Sequence, residues 1–186
     1  MEGIEMEDPI LLLHLDSTTT SSHNEDLCNW ILSRFGRSTN EDHLHLCAVI
    51  GDISQTLKDQ NLPSTPAAYF GAACSSLDRL FAELEPINEP PVHVIQPLLI
   101  VLHLVLPRIS AAIVNKEHKF LSELLFRVLR SPSLSSSIAA TTYGMKCVSQ
   151  LLIIGDALSW SDVSQLYGVL LGFVTDSRPK VIIYLR

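Results

Sequence analysis

Apolar residues along this chain recur every three or four positions, and polar clusters or prolines interrupt them at regular distances. That period predicts helices packed by one face. Leu27, Trp30, Ile31 and Phe35 give a first helix over Glu25–Phe35, with Gly36 as its stop. Ser38 and Glu41 stand at capping-box spacing before a second helix, about Asn40–Gln60, whose stripe is Leu46, Ile50, Ile53 and Leu57. Asn61-Leu-Pro-Ser-Thr-Pro66 is a linker, with Thr65 and Pro66 placed as N-cap and first helical residue. The third helix runs from Pro66 to about Leu84 on Phe70, Ala73, Cys74, Leu77, Leu80, Phe81 and Leu84.

A proline-rich loop, Glu85–Pro91, leads to a fourth helix over about Val92–Leu106. Pro107 either kinks it or begins a further short piece to Val114. A fifth helix, Lys116–Arg130, buries Leu121, Leu124, Leu125 and Val128, and Ser131-Pro132 and the serines that follow break it. A sixth covers Ile138–Ile154, with Tyr143, Cys147, Leu151 and Ile154 inward and Gly155 as its end. The seventh starts at Trp160, with Ser159 and Asp162 at capping spacing, and aligns Val163, Leu166, Tyr167, Leu170, Phe173 and Val174. Asp176-Ser-Arg-Pro-Lys-Val181 then ends that helix and opens another, a helix–turn–helix join of the kind found in HEAT repeats.

Residues 1–24, with the run Ser17-Thr-Thr-Thr-Ser-Ser22, carry no apolar period and are expected to form a flexible tail. No segment alternates with period two for long enough to be a strand. Taken in pairs, the helices begin near 26, 65, 117 and 160, at intervals of about 39, 52 and 43 residues, against roughly 40 to 47 for HEAT and armadillo units. A helix pair of this size cannot bury its own apolar face and must stack on its neighbours. The expected fold is therefore all-α: a HEAT- or armadillo-like α-solenoid segment of antiparallel helix pairs, about three and a half pairs over 25–181.

Composition narrows the function. Hydrophobic residues make up 47% and charged residues 18%, which suits a packed domain. The net charge is -7 and the 13 Lys and Arg are scattered, so an acidic surface is the plainer reading against a nucleic-acid platform. The four cysteines, Cys28, Cys47, Cys74 and Cys147, have neither disulfide-framework nor metal spacing, and a reducing compartment follows. The acidic amino terminus lacks the charge of a secretory signal. Val92–Val114 is apolar but is interrupted by Gln96, Pro97, His103, Pro107 and Arg108, so a buried helix explains it better than a membrane span.

Candidate chemistry is sparse. His43 and Cys47 share a helical face, but His45 points elsewhere, and the trio reads as surface histidines beside a core cysteine. Glu41 and Asp42 complement a helix N-terminus. No nucleophile elbow, P-loop or dinucleotide motif occurs, so no cofactor and no small-molecule substrate are expected. Lys116, Lys119, Arg127 and Arg130 flank one helix, interleaved with Glu117 and Glu123; they read as solvated surface, with phosphate or partner contact as the alternative. Arg178 and Lys180 fall in the inter-helix turn, where they are either structural or partner-facing. Ser131-Pro132 and Thr65-Pro66 are weak phosphorylation candidates.

Several strings carry a resemblance: Ile31-Leu-Ser-Arg-Phe-Gly36, Glu41–Ile50, Leu57-Lys-Asp-Gln-Asn-Leu-Pro-Ser-Thr-Pro66, Tyr69-Phe-Gly71, Gly144–Val148, Trp160-Ser-Asp-Val163 and Gly172–Val181. Over about residues 26–181 the chain resembles the amino-terminal region of plant ribosomal-RNA-processing protein twelve-like proteins. The resemblance implies a HEAT and armadillo-repeat protein of the nucleolus and nucleus, acting in ribosome biogenesis without catalysis. Its implied partners are pre-ribosomal particles and their proteins, pre-ribosomal RNA and nuclear transport components. The implied task is maturation and export of small-subunit precursors. Residues 182–186, Ile-Ile-Tyr-Leu-Arg, depart from the family, which continues as helix, and are expected to mark a truncation that leaves apolar surface exposed. The residues alone leave open a generic HEAT adaptor between proteins, for example in nuclear transport.

Overall fold

The computed structural model describes residues 26–82, 90–154 and 160–174. Among these, eight α-helices and a short 3-10 turn make up the fold: α1 Leu27–Phe35, α2 Glu41–Asp59, α3 Pro66–Ala82, α4 Val92–Val105, the turn Leu106–Arg108, α5 Ala111–Leu129, α6 Pro132–Ser135, α7 Ile138–Ile154 and α8 Trp160–Val174.

Local chemistry sets the helix starts. Asp26 caps α1, its side chain accepting from the Cys28 amide. For α2 the cap is Asn40, which accepts from the Asp42 amide at 2.9 Å. Ser38, the expected cap, stands two residues too early; its hydroxyl accepts from the Asn40 amide and lies 2.7 Å from His43 Nδ1. Thr65 does cap α3, accepting from the Ala68 amide at 3.3 Å, and Pro66 opens the helix.

The ends differ from expectation in one instructive way. Gly36 follows α1 in a right-handed conformation, so it is no left-handed stop; a side chain there would meet the Leu32 carbonyl oxygen at 2.5 Å. The left-handed residue is Asn61, with φ 53°. Around it Leu62 N–H donates to the Leu57 carbonyl and Asn61 N–H to that of Lys58, the paired bonds of a Schellman end to α2. The segment read as a plain linker thus begins with an ordered helix terminus.

The Pro107 region also differs. The short piece expected up to Val114 does not form: Leu106–Arg108 is a 3-10 turn, Ile109 is extended, and α5 starts at Ala111 and continues unbroken to Leu129. Pro107 ends the preceding helix, and Ser110 lies at the start of the next.

The helices pair and stack as two layers. α1 packs on α2, α3 on α4, and α5 on α7. Across pairs, α2 packs on α4 and α4 on α7, while α3 packs on α5 and α5 on α8. α6 caps the start of α7. One layer is therefore α2, α4 and α7, and the other holds α3, α5 and α8, with α1 beside α2. This is an all-α solenoid segment of antiparallel pairs, and its core runs continuously from pair to pair.

α4 is the centre of that core. Five consecutive apolar residues, Leu98 to Leu102, are all buried, because α2, α3 and α7 cover different sides of the same helix. The expected stripe of α2 is buried as read, and so are Phe70, Ala73, Cys74 and Leu77 of α3, with Leu80 and Phe81 at the margin. Tyr69, absent from that stripe, is wholly buried, and its hydroxyl donates to Asp26 at 2.7 Å, joining α3 to the cap of α1. In α8 Leu166 is buried and Val169, Leu170 and Phe173 pack beside it, while Tyr167 turns out to solvent. Residues 1–24, the loop 85–89, the cap at Ser159 and the turn and terminus from Asp176 to Arg186 lie outside the described residues.

Candidate partner-binding surface

With α3, α7 and α8 against it, α5 keeps one ridge in solvent. Lys116, Lys119 with its neighbour Phe120, Glu123, Arg127 and Arg130 lie on that ridge about one turn apart, all exposed. The sequence candidates are thus gathered on one line, but they are not equivalent. Arg127 pairs with Asp78 on α3, so it ties α3 to α5, two successive helices of one layer. Arg130 lies over the Phe126 ring at 5.3 Å, a cation–π contact that holds the guanidinium near the surface. Lys116 is 3.9 Å from Glu117 and otherwise open to solvent. Lys119 is exposed one turn further on, beside Phe120. Glu123, Glu117 and Asp78 temper the positive charge, so the ridge is mixed rather than a polyanion track. Arg178 and Lys180 lie outside the described residues.

The histidine and cysteine trio separates. His43 is buried rather than on the surface, its ring 4.6 Å from that of Phe35, and its Nε2 is buried without a hydrogen-bond partner among the described residues. His45 points away from the core and meets the ring of His93 on α4. Cys47 is half-buried, and burial, then the neighbouring Cys28, pushes its thiol above the ordinary value. Cys74 is pushed up to about 12, chiefly by burial, and Cys147 is raised for the same reason. Neither is a ready nucleophile, and Cys147 instead donates to the Leu99 carbonyl at 3.4 Å. Among the described residues no three His, Cys, Asp or Glu side chains converge as a metal site, and no helix is long and apolar enough to cross a membrane.

Of the phosphorylation candidates, Ser131 is buried while Thr65 is exposed, although its hydroxyl already caps α3. A polar cluster that the periodicity did not mark joins α4 to α7: His103 and Tyr143 rings are 5.8 Å apart, and Lys146 Nζ lies 4.8 Å from the Tyr143 ring centre. Tyr143 and Lys146 are one turn apart on α7, and the stacking of α4 on α7 brings His103 to them.

Stacked antiparallel pairs with a shared core and a charged outer ridge define a HEAT-repeat solenoid, a class whose surface binds other macromolecules. The chain belongs to the RRP12-like family: the family model for RRP12-like N-terminal HEAT repeats matches residues 14–182. It is similar to the RRP12-like protein of Gallus gallus, with 27% identity over 152 residues, covering 81% of this chain and 11% of that protein. It is similar also to the RRP12-like protein of Homo sapiens, with 25% identity over 183 residues, covering 96% of this chain and 13% of that protein. The chain thus spans a small part of the length of these relatives, neither of which is a plant protein. No solved structure matches it.

Proposed function

We propose that this chain is a non-catalytic helical scaffold in ribosome biogenesis, a binding segment through which pre-ribosomal particles are held during pre-ribosomal-RNA processing and the maturation and export of small-subunit precursors. The observation that carries this reading is the match to the RRP12-like N-terminal repeats over residues 14–182, a span that contains every described helix. Physical support comes from the fold. A stack of helix pairs presents an extended surface fixed by a continuous core, which suits holding a large particle at many weak points. The net charge of -7 favours basic partners, so contact with the proteins of the particle fits better than broad wrapping by RNA. Lys116, Lys119 and Arg130, with Arg178 and Lys180, are the local basic exceptions and the points at which precursor RNA or an acidic partner would be met. Nuclear transport components are further partners on this reading, and the nucleolus and nucleus are its place of action.

The test is affinity purification of the tagged chain from nuclear extract, followed by northern blotting for small-subunit ribosomal RNA precursors. Recovery of precursor above an untagged control is the expected result. Recovery of proteins without any precursor would overturn the ribosomal reading in favour of a protein adaptor. Charge reversal at Lys116, Lys119 and Arg130 together is expected to lower the yield while the circular-dichroism spectrum stays unchanged.

A further inference from the structure

His45 and His93 come from different helix pairs, α2 and α4, yet their rings meet with centroids 5.1 Å apart and planes 38° from parallel. Neither is a core residue: His93 is exposed and His45 half-buried, so the pair sits at the surface of the layer of α2, α4 and α7 with access to solvent. This contact differs from the other histidine contacts of the molecule. His43 is enclosed beside Phe35, and His103 and His118 are buried. Two solvent-reachable imidazoles held across a joint between units are the elements of a bidentate metal ligand.

The spacing can be checked against coordination geometry. With metal–nitrogen bonds of roughly 2.0–2.1 Å and a near-tetrahedral angle, the centroids of two imidazoles on one zinc ion lie about 5 Å apart. The observed centroid separation of 5.1 Å matches that value, so the two rings are already at the spacing that a shared ion sets. Glu41 stands four residues before His45 and so lies on the same side of α2. Because no three such side chains converge among the described residues, two positions of the coordination sphere remain for water or for a donor from another molecule.

We propose that His45 and His93 form a two-imidazole site for a divalent transition cation, Zn²⁺ first, that clamps the first helix pair to the second. The ion bonds one nitrogen from each ring and gives up two of its own waters in exchange. Binding to the native state alone tightens the joint between α2 and α4. The two remaining coordination positions make the clamp a point at which a histidine or carboxylate of a docked partner can be added.

Titration calorimetry of the full chain with zinc sulfate, run beside thermal melting, tests this. One ion per chain and a raised melting midpoint are expected. His45→Ala and His93→Ala should each weaken binding by roughly tenfold or more and abolish the rise in melting midpoint. The size-conserving His45→Gln and His93→Gln variants guard against a folding defect and should behave alike. Absence of binding by the native wild type, or binding that the double variant retains, would overturn the proposal. None of these outcomes depends on the scaffold reading, which stands or falls by recovery of ribosomal precursor.

Discussion

At Asn61 a single backbone angle carries information that hydropathy does not contain. With φ 53° it holds the Schellman end of α2, and asparagine is one of the few side-chain-bearing residues that adopt that region readily. Asn61→Gly is expected to be neutral or slightly stabilising, and Asn61→Val to cost about 1–2 kcal/mol in urea unfolding. Tyr69 is a second case. Burial first, then the bond to Asp26, pushes its hydroxyl up to about 12. The unfolded chain therefore loses this proton first as pH rises past the ordinary value near 10, and the native state is disfavoured from there up to about pH 12. Tyr69→Phe should remove that part of the alkaline destabilisation and cost about 1 kcal/mol at neutral pH. Neither residue was legible from the chain. The Asn61 signal is conformational, and the Tyr69–Asp26 bond joins separate helices, whereas the stripes Leu46–Leu57 and Phe70–Leu77 were legible because burial and period coincide there.

Among the elements, existence was plainer than boundaries. α2, α7 and α8 appear close to where the period puts them, since long amphipathic or apolar runs leave little choice of partner face. The stretch from Leu106 to Ser110 was not decidable, because proline permits either a kink or a fresh start and only the packing of α5 chooses. Contact between elements was likewise hidden. Gly144 on α7 is crowded by its neighbours: a Cβ there would come within 2.7 Å of Leu129 Cδ2 on α5, a terminal methyl that must turn aside, and 3.8 Å from Leu99 Cδ1 on α4. Gly144→Ala is expected to change stability by less than about 1 kcal/mol, because the helix propensity gained offsets the displacement of one Leu129 methyl. Leu129→Val removes part of the crowding, so the double variant should be more stable than the sum of the two single changes, as a double-mutant cycle in urea would read.

For the molecule as a whole, the pattern of helix pairs was enough to indicate a solenoid, because pairs that cannot close their own core must stack. The order of stacking was not. That α4 is enclosed by α2, α3 and α7 depends on which pair lies beside which, and so does the meeting of His45 with His93. The candidate ridge was readable as a row of basic residues, but the capture of Arg127 by Asp78 across two units was not. Function followed the same division. Neither spacing nor charge indicates a ribosomal role; the role proposed above rests on membership of the RRP12-like family, and the solenoid offers a physical means for it. The most direct measurement is sedimentation of the tagged chain through a sucrose gradient of nuclear extract, fraction by fraction against small-subunit ribosomal RNA precursors. The scaffold account predicts that the chain travels with the precursor peak and shifts toward the top of the gradient after ribonuclease treatment. A chain that stays at the top before and after treatment would contradict it.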